Sequence, residues 1–174
     1  MPADDATTEI DSAFFVEEEG TLSSLRGLRE VIETKGLFSS RYTARGSHYW
    51  YTEEAGGRVD KTRLPQVPRA LQQLGSTLIP AYSPEAQGRS ERVFRTLPDR
   101  LPKELALAGI TAMAAANRYL IEQVLPAYNR RFAVPAPEAG TAFVPWIGTN
   151  LAAIFCACKK RGSWPRTIRC GIRA

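Results

Sequence analysis

The sequence predicts an α/β fold. Short apolar stretches of strand length alternate with longer ones whose apolar residues recur at helical spacing. Gly and Pro fall at the junctions between them. The order read along the chain is β-α-β-(loop)-α-β-α-α. With 174 residues, 44% apolar and 24% charged, the chain suits one soluble globular domain. That composition excludes a wholly disordered chain, a collagen and a small disulfide scaffold.

Residues 8–16, TEIDSAFFV, read as a largely buried strand. Gly20-Thr21 opens a helix with Thr21 as the expected N-cap. Leu22, Leu25, Leu28, Val31 and Ile32 form its apolar stripe, and Gly36 suits the position after its end. Residues 37–43, LFSSRYT, read as a second strand, which completes a βαβ-like unit. Residues 44–65 read as a long polar loop with a small hairpin near Tyr49–Thr52. Val67, Leu71 and Leu74 mark a helix over 66–75, and TLIPAY at 77–82 a short strand that Pro80 confines to an edge or ends early. Ser83-Pro84 predicts a helix start, and Pro98 and Pro102 predict its kinking or end. Thr111 is the expected cap of a helix over 112–125, ended by Pro126, and 127–149 reads as an irregular extension.

Charge is unevenly spread. The chain holds 23 basic and 18 acidic residues, a net charge of +5. Residues 159–174 hold six basic and no acidic residues, so the rest carries 17 against 18. The basic balance therefore belongs to the tail. Residues 1–20 hold seven acidic and no basic residues, unlike a signal or transit peptide. No stretch approaches the roughly 20 apolar residues of a membrane helix, so a cytoplasmic chain without a membrane partner is expected. Three cysteines, Cys156, Cys158 and Cys170, do not suggest a disulfide framework. Their spacing with the lone His48 is poor for zinc.

The chemically distinctive stretch is YSPEAQGRSERVFRTL at 82–97. Glu91 is flanked by Arg89, Arg92 and Arg95, a carboxylate beside an arginine ridge at helical spacing. Such a group suits a site that holds a metal and grips phosphates, although on composition alone salt bridges on a solvated helix face are the commoner account of it. Tyr49, Trp50 and Tyr51 suit hairpin packing better than base stacking. Gly56-Gly57 reads as a turn.

The 82–97 stretch resembles the Ser-Pro-x-x-x-Gly-x-x-Glu-Arg-x-x-x-Thr segment of transposases in the retroviral-integrase superfamily, with the insertion-sequence transposases of the ISNCY type the nearer match. Four further stretches agree in order: Asp4-Asp5-Ala6-Thr7, Glu19-Gly20-Thr21, Tyr42-Thr43-Ala44-Arg45-Gly46-Ser47-His48, and Tyr128-Asn129-Arg130-Arg131-Phe132-Ala133. The resemblance covers about residues 4–156. It implies an RNase H-like fold, a mixed sheet flanked by helices, here incomplete and lacking its first strand. It implies a chemistry in which three acidic residues hold two Mg²⁺ ions for in-line attack on a phosphodiester.

The resemblance maps the third acid onto Glu91, as catalytic and metal-binding residue, and the second onto Ala44. The first belongs to a strand upstream of the Asp-Asp-Ala-Thr motif, and catalysis does not transfer to Asp4 or Asp5. An inactive catalytic-core remnant is therefore expected, with Mg²⁺ not bound productively. The alternative is a non-catalytic DNA-binding or regulatory remnant that binds transposon ends or an intact transposase, as part of an oligomer. Its expected phosphate contacts are Arg45, Arg89, Arg92, Arg95 and Lys103.

The expected organisation is a partial core over 1–135, an extension of that core over 136–156, and a disordered basic tail over 157–174. One permissible set of codons for CACKKRGSWPRTIRCGI at 156–172, read from its third nucleotide, yields CVQEEGVVAKDNTVRY. That string resembles the family's continuation, so the tail is expected to be frameshifted.

Overall fold

The computed structural model describes residues 4, 6–54, 57–83, 88–138, 140–148 and 150–156. Within that range the side chains of 88–96, 98 and 156 lie outside the description. The tail expectation, Asp5 and the Pro84 helix start therefore fall outside the described residues.

Helix α1 spans Thr21–Thr34 and buries Leu25, Leu28, Val31 and Ile32, while Leu22 at its start stays exposed. Gly20, rather than Thr21, occupies the cap. Its N–H donates to Ser23 Oγ at 2.9 Å, and that hydroxyl donates back to the Gly20 carbonyl at 3.0 Å. The expected glycine past the end is present: Gly36 has φ +110°, and a Cβ there would lie 2.4 Å from the Val144 carbonyl oxygen. Leu37 and Val144 form an antiparallel bridge at that point, with bonds of 2.7 and 2.8 Å.

Strand β1, Ser40–Thr43, pairs in parallel with β4, Thr77–Pro80. The hairpin β2–β3, Tyr51–Thr52 with Val59–Asp60, and helix α2, Gln66–Gln73, lie between them in sequence. Among the described residues these are two separate two-stranded ribbons within a mixed α/β architecture. Val67 and Leu71 of α2 are fully buried, packed in one core with Leu28, Ile32, Trp50, Leu78 and Phe155. Phe155 belongs to α6, Leu151–Cys156, in a stretch that the sequence assigns to the extension of the core without a secondary structure.

The expected strand over 8–16 does not form: these residues belong to no strand, and Thr8 at their start has φ +62°. A strand needs a neighbour, and here two side-chain amides take that role. Asn129 accepts from the Ile10 N–H at 2.9 Å and donates to the Ile10 carbonyl at 3.1 Å. Asn117 does the same for Phe15, at 2.6 and 3.1 Å. Ile10 and Ala13 thereby enter a second core with Leu101, Leu120 and Tyr128.

Three prolines lie within helices rather than ending them. Helix α3 runs Gly88–Leu107 through Pro98 and Pro102. Leu97, Leu101 and Leu105 pack on the second core, and that burial outweighs the two lost N–H donors. Helix α4, Met113–Tyr119, starts after Ala112, so Thr111 is not its cap. It continues through a π turn, Leu120–Val124, into α5, Leu125–Phe132, which contains Pro126. The wider π turn reroutes the hydrogen-bond ladder before the proline: Leu125 N–H bonds back to the Leu120 carbonyl. Among the described residues no helix is long and apolar enough to cross a membrane.

Candidate functional site

The parallel ribbon brings the exits of β1 and β4 to one end, as the register pairs Thr43 with Pro80. In open α/β sheets ligands bind in the crevice outside such carboxyl ends. The Ala81 N–H donates to the Thr43 carbonyl at 3.0 Å and locks the two exits together. After β1 the chain turns tightly, with the Gly46 carbonyl accepting from Tyr49 and Trp50 N–H groups, both at 2.9 Å. Trp50 is buried, and its Nε1 donates to Thr43 Oγ1 at 2.9 Å. Aromatic packing in a hairpin is thus the role of Trp50.

Ala44 is exposed at this exit, and Arg45 follows it into solvent. Arg45 Nη1 donates to the Gly57 carbonyl at 3.2 Å, and its guanidinium lies 5.2 Å over the Tyr82 ring. Tyr82 stands just beyond β4, and its hydroxyl accepts from the Val59 N–H at 3.2 Å. The sequence reading gave Tyr82 no role beyond the strand TLIPAY. Its signal was position: an exposed aromatic immediately after a strand that ends in proline.

His48 lies in the same turn. Glu19 Oε1 lies 3.8 Å from its Nε2. Its ring tilts against Tyr49 at 4.1 Å between centroids. Asp4, set aside as a catalytic residue, has its carboxylate committed locally to the Ala6 N–H at 3.0 Å and the Thr7 hydroxyl at 2.8 Å.

The backbone of Arg89, Glu91, Arg92 and Arg95 lies in the first turns of α3, and their side chains fall outside the described residues. Lys103 is exposed on the same helix. Twelve residues separate it from Glu91, roughly 18 Å along the axis, so the helix holds the two apart.

Three charged groups, Asp11, Lys35 and Arg41, are wholly or partly withdrawn from solvent. Asp11 is 4% exposed and 2.6 Å from Lys35 Nζ, which also meets Glu9 at 2.6 Å. Burial pushes the Asp11 carboxyl up, against the opposing pull of Lys35. Burial draws the Lys35 ammonium down, but Asp11 and Glu9 together more than offset it and its pKa is raised. Burial likewise lowers the Arg41 guanidinium. Arg41 lines an apolar cavity of about 570 Å³ between α1, the ribbon and α3, walled by Phe14, Leu28, Leu78 and Leu101. The sequence reading did not anticipate this cluster, whose members converge only through tertiary packing.

A two-Mg²⁺ centre needs several converging oxygen ligands. Of the described residues near it, Ala44 at the exit of β1 offers a methyl and no donor, and the Asp4 oxygens serve their own turn. Among the described residues no three His, Cys, Asp or Glu side chains are grouped to hold a metal.

No family model matches the chain, and no solved structure matches it. Over 133 residues it is 33% identical to the protein named "Putative transposase y4bF" of Sinorhizobium fredii, covering 75% of this chain and 28% of that protein. Over 132 residues it is 28% identical to the transposase for insertion sequence IS1202 of Streptococcus pneumoniae, covering 76% of this chain and 28% of that protein. The chain spans just over a quarter of the length of these curated relatives.

Proposed function

We propose, from the premise that this chain belongs to the insertion-sequence transposases, that it is a segment of an RNase H-like catalytic core that no longer performs strand transfer. One observation carries the proposal. Ala44 stands at the carboxyl end of β1, where the resemblance calls for a metal-ligating carboxylate. Glu91, at the third-acid position on α3, cannot alone neutralise and hold two dications a few ångströms apart.

The test is a strand-transfer assay with transposon-end DNA and Mg²⁺ or Mn²⁺. The expected result is no turnover from the purified chain, and robust turnover overturns the reading.

A second reading is favoured by Arg45, held over Tyr82 beside the site. The segment binds DNA ends without cutting them, with Arg89, Arg92, Arg95 and Lys103 as further phosphate contacts, alone or with an intact transposase. Salt-dependent DNA binding that survives deletion of residues 157–174 supports it. Binding lost with those residues reduces it to the charge of the tail.

A further inference from the structure

The hairpin β2–β3 and the exit of β4 enclose an open pocket of about 660 Å³ lined by Arg45, Gly57, Arg58, Val59, Lys61 and Tyr82. Half of those residues are cationic and none is acidic. Arg58 and Lys61 are exposed, and among the described residues they form no ion pair. The nearest carboxylate in sequence, Asp60, is turned into its own loop. It accepts from the Thr62 N–H at 2.7 Å, the Thr62 hydroxyl at 2.6 Å and the Arg63 N–H at 3.3 Å. Those bonds hold its pKa below the ordinary carboxylate value, Thr62 contributing most. It therefore remains ionised but does not line the pocket.

The floor is pre-set. Tyr82 is fixed by its bond from the Val59 N–H, and Arg45 lies over the Tyr82 ring while bonded to Gly57. A tyrosine hydroxyl that accepts one bond still has a proton to donate. Two lysine or arginine head groups, a stacked guanidinium and a phenol thus converge on a pocket open to solvent. That shape admits a link of a long polyanion better than a compact, fully enclosed anion.

The geometry points to a phosphate-binding pocket for a DNA strand, with Arg58 and Lys61 as the contacting cations and Arg45 and Tyr82 as the floor. The inference rests on the DNA-binding reading above and deepens it by adding Arg58, Lys61 and Tyr82 to the surface.

The test compares the full chain with two doubly substituted forms of equal charge. One carries Arg58→Ala and Lys61→Ala. The other carries Arg26→Ala and Arg29→Ala on α1, where those arginines pair with Glu30 and Glu33. Fluorescence anisotropy with a labelled DNA duplex is read over a range of salt. Loss of two phosphate contacts should flatten the slope of log affinity against log salt by about 1.8 in the first form and leave the second close to the parent. Equal slopes in both forms overturn the pocket while leaving DNA binding intact.

If the parent chain binds no duplex, the DNA-binding reading itself fails. An amide-shift titration of the parent with inorganic pyrophosphate then judges the pocket separately. Shifts centred on Gly57, Arg58 and Val59 support it as a phosphate site, and their absence overturns it. That arm needs no substitution, so a misfolded variant cannot obscure it.

Discussion

Trp50 and Thr43 are joined by a buried hydrogen bond from indole Nε1 to Oγ1, at 2.9 Å. The bond ties the turn after β1 to the last residue of that strand, and so fixes where Ala44 and Arg45 leave the ribbon. The hydroxyl of Thr43 is needed less for the strand than for this one donor.

Thr43→Val keeps the shape of the side chain and removes the acceptor. The buried indole N–H would lose its partner, which costs about 1–3 kcal/mol. A lower urea midpoint with an unchanged slope is the expected result. An unchanged midpoint would show that the bond contributes nothing.

Asn129→Ala and Asn117→Ala each release both main-chain groups of one residue, Ile10 or Phe15. Each is expected to lower stability by about 1–3 kcal/mol. Hydrogen exchange should accelerate at the Ile10 amide in the first variant and at the Phe15 amide in the second. Exchange unchanged at those amides would show that the carboxamides do not protect them.

Lys35→Met removes the cation beside the buried Asp11 carboxylate. At about pH 7 the expected loss is about 2 kcal/mol, less than for a fully buried pair because Lys35 keeps 26% of its side chain exposed. The sign follows from both shifts. The folded pKa of Asp11 lies above its ordinary 3.8, so its ionisation already opposes folding as pH rises, and more so without Lys35. The folded pKa of Lys35 lies above 10.5, so its contribution is complete below that value and is lost as pH rises through the folded pKa. The gap between parent and variant should therefore be widest near neutrality. It should shrink at about pH 3, where Asp11 is protonated in both. Denaturation midpoints at the two pH values check this, and a gap that grows in acid contradicts it.

Gly36→Ala places a Cβ 2.4 Å from the Val144 carbonyl oxygen at a backbone with φ +110°. Two faults coincide, and the bridge to Leu37 must open or shift. A loss of roughly 2 kcal/mol or more is expected, with a fall in Tm. A variant as stable as the parent would show that the 144 segment does not pack there in solution.

The legible parts of the fold were local. Leu25, Leu28, Val31 and Ile32 mark α1, and Gly36 its end, within one stretch of chain. The same holds for Val67 and Leu71 of α2 and for β4 ending at Pro80. Residues 8–16 have the apolar content of a strand, but the main-chain partners of Phe15 and Ile10 are side chains 102 and 119 residues away. Proline at 98, 102 and 126 has a local penalty that sequence shows and a compensating tertiary burial that it does not. At the site, Ala44 and Arg45 were visible within one motif. Tyr82 and the cations of the hairpin converge on them only through the pairing of β1 with β4.

The two carboxamide clamps also act as a gauge of length. Asn117 and Asn129 stand twelve residues apart on a nearly continuous helical rod, about 18 Å along its axis. Their targets, Phe15 and Ile10, stand five apart on drawn-out chain, about 17 Å. The two spans are commensurate, and the clamps grip backbone alone. The identities of residues 10 and 15 can therefore drift within the limits of packing. An insertion or deletion of even one residue between either pair would throw the two scales out of step.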